Sequence, residues 1–205
     1  MYEYEDALKR KGYKVIGGCD EAGRGPLAGP LVVACVVLDD NNPIEGLNDS
    51  KKLSAKKRLM LYQEIKAKAV AYKIVEYNAQ TVDEYNVYQA SKRGMIEAAS
   101  HIEGLEFLLT DAMPIQYERF ESLSVIKGDQ KSASIAAASI LAKVTRDAYM
   151  DALQHKYPGY GFEKHKGYPT KAHMEALDAL GVCAEHRKSF APVKARLAIQ
   201  TTLDI

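Results

Sequence analysis

Four acidic residues in this chain stand where carboxylates are expensive unless a cation meets them. Asp20 and Glu21 are adjacent within G-C-D-E-A-G-R-G, a knot held between two apolar runs. Asp111 ends the apolar run F-L-L-T-D, and Asp129 follows Gly128 just ahead of a helical pattern of small residues. A carboxylate at the end of a buried strand costs free energy unless a metal or a basic group pairs it. Four acids on separate elements suit two divalent cations about 4 Å apart, held by shared carboxylates. Oxygen-only donors favour Mg2+ or Mn2+. Such a pair activates water and stabilises the departing 3′ oxygen of a phosphodiester, so the chemistry indicated is hydrolysis of a nucleic-acid backbone. Each acid also has a plainer reading: a solvated turn for the Asp20–Glu21 pair, a strand-end turn for Asp111, a dipole-favoured helix-start acid for Asp129. Neighbours in a strand point to opposite faces, so Asp20 and Glu21 share a cluster only if the chain turns at Glu21, which the following Ala22-Gly23 permits.

The residues around these acids suit a polyanion. Gly23, Arg24 and Gly25 form a turn where missing side chains let a ligand or another backbone approach. N-D-S-K-K-L-S sets Lys51 and Lys52 beside a helix start, a place for a phosphate, though a solvated basic loop has the same appearance. Residues 157–168, Y-P-G-Y-G-F-E-K-H-K-G-Y, interleave aromatics with Lys164, Lys166 and the histidine between them, a pattern suited to stacking plus phosphate contact, or to an ordered surface loop. The histidines are scattered and read as surface or packing residues; no Cys/His spacing suggests zinc, and no G-x-x-x-x-G-K-[ST] is present.

The elements that must position these residues follow from periodicity and caps. Residues 1–11 read as a short amphipathic helix. Residues 13–19 and 31–38 read as strands, antiparallel because their connection is short, the second almost wholly aliphatic and so buried on both faces. Residues 39–48 are turn-rich. Ser54 caps a helix to about residue 68, with Leu59, Leu61 and Ile65 as its apolar positions. A strand over 69–77 follows, and T-V-D-E at 81–84 is a capping box opening a helix to about 101. The strand ending at Asp111 comes after that helix and should be a central, parallel partner of the first strand, bringing Asp20 and Asp111 to one sheet edge. A short strand over 123–126 precedes K-G-D. The helix over 132–155 opens with S-A-S-I-A-A-A-S, small enough to lie close against a sheet or a ligand, and Thr170 caps a helix that stops at Gly181. The tail from His186 is basic, with Arg187, Lys188, Lys194 and Arg196, and residues 199–205 match no motif.

Bulk properties agree with one domain of mixed α/β class. With 205 residues, 47% hydrophobic and 27% charged, the chain has ample core and no disorder signature. No apolar run reaches the roughly 18 residues that span a bilayer, and the start, Y-E-Y-E-D, is unlike a signal peptide. Three well-separated cysteines without a secretory signal point to the cytoplasm. The net charge of +1 hides an asymmetry: residues 127–205 carry 12 Lys plus Arg against 8 acids, residues 1–126 carry 16 against 19. Acids gathered into a metal site leave a more basic surround, which again favours a polyanionic partner.

Five motifs in order resemble the bacterial ribonuclease HII (type 2 RNase H) family: G-C-D-E-A-G-R-G-P-L-A-G-P, L-N-D-S-K-K-L-S, T-D-A, K-G-D followed by S-I-A-A-A-S-I-L-A-K-V-T-R-D, and Y-G-F-E-K-H-K-G-Y-P-T. They cover most of the chain from about residue 13 to 196. The resemblance implies an RNase H-like mixed five-stranded sheet flanked by helices, with a helical C-terminal extension over about 156–205 serving substrate binding within a single catalytic domain, 1–205. It implies a monomeric endonuclease cutting the RNA strand of RNA/DNA hybrids and nicking duplex DNA 5′ of an embedded ribonucleotide, leaving 3′-hydroxyl and 5′-phosphate ends, in ribonucleotide removal during replication and repair. It places the acidic quartet on Asp20, Glu21, Asp111 and Asp129, with two cations, Mn2+ or Mg2+. The substrate-binding turn falls on Gly23, Arg24 and Gly25, and the junction-sensing tyrosine on Tyr168; the basic stretches described above add Lys51 and Lys166 as expected substrate contacts. Glycine backbone can reach a 2′-hydroxyl, the group that separates RNA from DNA, because no Cβ intervenes. Two alternatives remain: another metal nuclease of the same fold, such as ribonuclease HIII, disfavoured because only about ten residues precede the first strand, and a non-catalytic hybrid-binding module, which would need no quartet. A replication clamp is a conceivable partner; a membrane is not expected.

Overall fold

The computed structural model describes residues 1–203, with side chains to residue 198, so the motif-free stretch 199–205 lies outside the described side chains. Its elements are α1 (Glu3–Arg10), β1 (Ile16–Ala22), β2 (Leu31–Val37), α2 (Ala55–Lys68), β3 (Ala71–Tyr77), α3 (Ala79–Tyr85), α4 (Val87–Ser100), β4 (Phe107–Asp111), β5 (Glu121–Val125), a 3-10 turn (Gly128–Gln130), α5 (Ala133–Lys156), α6 (Phe162–His165), α7 (Lys171–Leu180) and α8 (Ala191–Leu203). They form two compact units. One holds Met1–Ala22, Val32–Val75 and Ser91–Val144; the other holds Gly23–Leu31, Glu76–Ala90 and Thr145–Ile205.

The first unit is built on a mixed five-stranded sheet, ordered β3-β2-β1-β4-β5. As the short connection requires, β1 and β2 are antiparallel; β4 lies parallel to β1 and carries β5 parallel on its other side. The run of valines in β2 is fully buried, as its lack of alternation predicts. β1 differs from expectation. It continues through Ala22 instead of ending at Cys19, because Ala34, Val33 and Val32 of β2 partner Asp20, Glu21 and Ala22. Both carboxylates are therefore carried on the strand itself.

Small residues set the spacing between α5 and the sheet. A Cβ at Gly18 would fall 2.2 Å from the Ser134 backbone, so only glycine admits this approach. Ala133, Ala136, Ala137 and Ala138 are fully buried beside Val32, Ala34 and Val36. The start of α5 is fixed by an acid from α1: buried Glu5 accepts from the Ser134 amide at 2.9 Å and from the Ser132 and Ser134 hydroxyls, each at 2.6 Å. A carboxylate there answers the free amides and the dipole of the helix.

Three local expectations are corrected. Leu61 and Ile65 of α2 are fully buried but Leu59 is exposed; the Ser54 cap is present, accepting from Lys57 N. The expected single helix over 81–101 is two. Asn78, not Thr81, caps α3. Asn86, at φ 59°, then breaks the helix, and its side chain accepts from the Tyr88 and Gln89 amides to start α4. Asparagine competes with helical hydrogen bonds and tolerates positive φ, which a pattern of apolar positions does not reveal.

The second unit has its own core: Met150 and Leu153 of α5 with Ala28, Tyr160 and Phe162, and Leu27 with Leu177 and Val193. Thr170 caps α7 and Gly181 ends it, as predicted. The aromatic segment over 157–168 is only partly a surface loop. It contains α6, and Tyr160 and Phe162 are buried and stacked with ring centroids 5.1 Å apart, which removes them from any base-stacking surface. Arg187, expected in a basic tail, is fully buried. Among the described residues no helix is long and apolar enough to cross a membrane.

Candidate active site

Folding brings three of the four acids together. Asp20 on β1, Asp111 at the end of β4 and Asp129 in the 3-10 turn each place a carboxylate oxygen within 4.8 Å of the other two. Glu21, one residue along β1, stands outside this trio, and its charge acts on Asp20. Burial, then the charges of Glu21 and Asp111, push the Asp20 carboxyl well above the usual carboxylate range; a Ser139 hydroxyl and the Glu21 amide pull the other way. Asp129 is pushed up to about 6 by burial, then by Asp111 and by Asp49, a buried acid in the L-N-D-S-K-K stretch. Lys51, exposed, opposes that rise, and its amide donates to Asp49 at 2.9 Å. The chain holds this arrangement in strained backbone. Ala112 and Lys127, which flank the Asp111 and Gly128-Asp129 positions, have φ of 48° and 56°, and the Gly128 amide donates to Asp111 at 2.7 Å. Like charges gathered at low exposure with hard oxygen donors are a good fit for a divalent cation.

The Gly-Arg-Gly turn and Tyr168 lie in the second unit. Gly23 takes φ 104°, and a Cβ there would fall 2.3 Å from Arg146 Nε and 2.6 Å from the Pro30 carbonyl. Arg24 and Gly25 are exposed, and a Cβ at Gly25 would sit 3.5 Å from the Tyr168 ring, so turn and tyrosine are neighbours. Tyr168 is 42% exposed. Lys166 is ion-paired with Asp151. Behind Tyr168, three histidines that are scattered in sequence meet. The Cys183 amide donates to His186 Nδ1 at 3.1 Å, which leaves the His186 proton on Nε2 to face His173 Nε2 at 3.1 Å. His173 Nδ1–H then donates to the Tyr168 carbonyl at 2.9 Å. His165 stacks on His173 with centroids 4.3 Å apart. Burial pulls His173 and His186 down to about 4, so this chain of hydrogen bonds is neutral.

Sequence reasoning did not single out Asp49, Ser139, Arg146, Arg187 or His173. Asp49, Ser139 and Arg146 sit inside the motifs quoted above, but nothing in a motif separates a ligand from the residue that holds it. Arg187 and His173 carry no local signal; only their burial sets them apart.

A model of the ribonuclease HII family matches residues 17–193. The chain belongs to the ribonuclease HII family. Ribonucleases HII of Bacillus cereus (strain AH820) and Bacillus anthracis are 55% identical over 195 residues, which is 95% of this chain and 76% of theirs. Ribonuclease H2 of Pyrococcus horikoshii superimposes with a TM-score of 0.77 at 24% identity, over 91% of this chain and 98% of that one. RNase HII of Archaeoglobus fulgidus, solved in a complex with PCNA, gives 0.73 at 26% identity, over 86% and 95%. Bst-RNase HIII in complex with Mn2+ gives 0.66 at 20% identity, over 96% and 73%, a likeness of fold. This ribonuclease HII family member is thus a ribonuclease H, a metal-binding endonuclease that hydrolyses RNA in RNA/DNA hybrids.

Proposed function

We propose that Asp20, Glu21, Asp111 and Asp129 hold two divalent cations, Mn2+ or Mg2+, and that the enzyme nicks duplex DNA 5′ of an embedded ribonucleotide as well as cutting long hybrids. The products carry 3′-hydroxyl and 5′-phosphate ends. The observation that carries this reading is the convergence of the Asp20, Asp111 and Asp129 oxygens within 4.8 Å of one another. When bound, the cations supply the charge that activates water and stabilises the departing 3′ oxygen. The chain's own groups do the rest. The carboxylates fix where the scissile phosphate is met. The Gly-Arg-Gly turn, exposed at Arg24 and Gly25, follows Asp20-Glu21 one residue on in the chain and offers backbone donors and acceptors to the 2′-hydroxyl through Gly23, Arg24 and Gly25. Tyr168, beside Gly25, packs against the next sugar and senses the RNA/DNA junction. Lys51 and Lys166 neutralise flanking phosphates, Lys166 by exchanging its Asp151 partner.

In the cell this activity serves ribonucleotide removal during replication and repair in the cytoplasm, with residues 1–205 acting as one monomeric catalytic domain and about 156–205 serving substrate binding. The PCNA complex of the Archaeoglobus fulgidus relative makes a replication clamp the partner to try first. The test is a nicking assay on duplex DNA with one embedded ribonucleotide, with Mn2+ or Mg2+. Wild type cuts once, on the 5′ side; Asp111→Asn binds the duplex and does not cut it. Equal cutting of an all-DNA duplex would overturn the role given to the 2′-hydroxyl.

A further inference from the structure

Arg146 lies on α5 with 1% of its surface exposed. Its guanidinium gives three hydrogen bonds, each to a backbone carbonyl: Nε to Pro30 at 2.9 Å, Nη2 to Ala28 at 3.0 Å and Nη1 to Lys166 at 3.0 Å. Two of these carbonyls belong to the segment that leaves the Gly-Arg-Gly turn. The third lies two residues before Tyr168. The planar fork of arginine is the one side chain that reaches three such acceptors with fixed angles between them. The turn accommodates it only because Gly23 has no Cβ. The same two segments also meet through their backbones, Leu27 N donating to Gly167 O at 2.8 Å. Arg187 then ties the turn down from its other side, with bonds to the Arg24 carbonyl at 3.2 Å and to the Gly29 carbonyl at 3.0 Å.

We propose that Arg146 is a positioning residue for substrate discrimination: its buried guanidinium locks the carbonyls behind the Gly-Arg-Gly turn to the carbonyl ahead of Tyr168, so that turn and tyrosine meet the nucleic acid as one rigid reader. This rests on the reading of Tyr168 as the junction sensor. A long hybrid offers a 2′-hydroxyl at every step, so a loosened reader still finds a productive register. A single ribonucleotide offers one hydroxyl and one junction, and a displacement of even 1 Å between turn and tyrosine loses both.

The experiment compares initial rates on two substrates, a duplex with one ribonucleotide and a continuous RNA/DNA hybrid, for four proteins besides wild type. Arg146→Lys keeps the charge and loses the fork; it should lower kcat on the single-ribonucleotide duplex about tenfold or more and change the hybrid rate by less than about threefold. Tyr168→Ala should show the same selectivity, and the double variant should be no worse than Tyr168→Ala alone, because both changes disable one reader. Asp151→Asn breaks only the exposed ion pair of Lys166 and should leave the ratio of the two rates unchanged. An equal fall on both substrates in Arg146→Lys, or effects that multiply in the double variant, overturns the proposal. If Arg146→Lys does not fold, Asp151→Asn still decides: a selective loss there assigns the positioning to the surface pair and not to Arg146. Should Tyr168→Ala leave the single-ribonucleotide rate intact, the sensor reading itself fails, whereas a selective Tyr168→Ala beside an unselective Arg146→Lys sinks only the role of Arg146.

Discussion

In the first unit Asp20, Asp111 and Asp129 bring like charges together, and the Asp111 charge makes both Asp20 and Asp129 harder to ionise. In the second unit Arg146 and Arg187 are buried more deeply, at 1% and 0% exposure, yet their hydrogen bonds go to carbonyls set in place to receive them. Burial lowers these arginines only to about 10 and about 9, which leaves them charged at neutral pH. The acids are an incomplete site that a cation from solution would finish. The arginines are finished already, and their work is to hold backbone still. Burial of charge thus leaves a site open to a cation in one place and a filled scaffold in the other, and the partners decide which.

The largest test of this contrast removes charge from each. Asp20→Asn takes away a repelling neighbour, so metal-free stability should hold or rise, while cleavage falls about a thousandfold or more, roughly 4 kcal/mol of barrier. Wild type should also gain thermal stability with Mn2+ and Asp20→Asn should lose most of that gain. Arg187→Met leaves the Arg24 carbonyl and the buried Gly29 carbonyl without their arginine donor and should cost about 3 kcal/mol that Mn2+ does not restore. Unfolding midpoints in chelator and in Mn2+ check both. A metal-free Asp20→Asn less stable than wild type by more than about 2 kcal/mol would make the acids structural too.

A pH scan sharpens the comparison, because the two units respond with opposite sign. Asp129 sits at about 6 when folded against about 3.9 unfolded, so the folded form takes up a proton first and its contribution grows as pH falls from about 7 to 4. His173 and His186 sit at about 4 against about 6.5 unfolded. Their contribution is complete above the unfolded value and is lost as pH falls through 6.5 towards 4, on the order of 3 kcal/mol for each histidine. Hydrogen exchange on metal-free protein, corrected for intrinsic rates, should show α7 losing protection from pH 6.5 to 5 while β1 and β4 hold or gain. Parallel losses in both units would contradict the assignment of either cluster.

The sheet was legible from the sequence because its strands are unusually pure. The unbroken apolar run of β2, L-V-V-A-C-V-V, announces burial on both faces, and F-L-L ahead of Asp111 does the same for β4. The acids stood out as candidates because they close or follow apolar runs, although Asp111 suits a plain strand end and Asp129 a helix start equally well. Glu21 stood out less: strand alternation already set it apart from Asp20, and the structure leaves it outside the trio of convergent oxygens. The break at Asn86 was hidden, since the apolar pattern carries on through it and the decision rests on one side chain accepting two amides. The carbonyl grip of Arg146 and the histidine chain behind Tyr168 were hidden more deeply. Both join residues distant in sequence, and an arginine or histidine looks the same in a sequence whether solvent or backbone receives its protons.

The smallest effect expected is also the most specific to the charge argument. The Ser139 hydroxyl, which lies 2.9 Å from the Ser50 hydroxyl, does for Asp20 on a small scale what carbonyls do for the arginines: it favours the ionised carboxylate against burial and like charge. Ser139→Ala removes one oxygen and should leave the fold unchanged. Asp20 then holds its proton to higher pH, and an incoming cation must displace it. Mn2+ affinity should fall about tenfold at neutral pH, the low end for loss of a group that supports a ligand, and the deficit should shrink at a higher pH as competition from protons fades. A deficit of equal size at both pH values would mean that the hydroxyl orients the carboxylate without tuning its charge, and the parallel with the arginines would then be one of geometry alone.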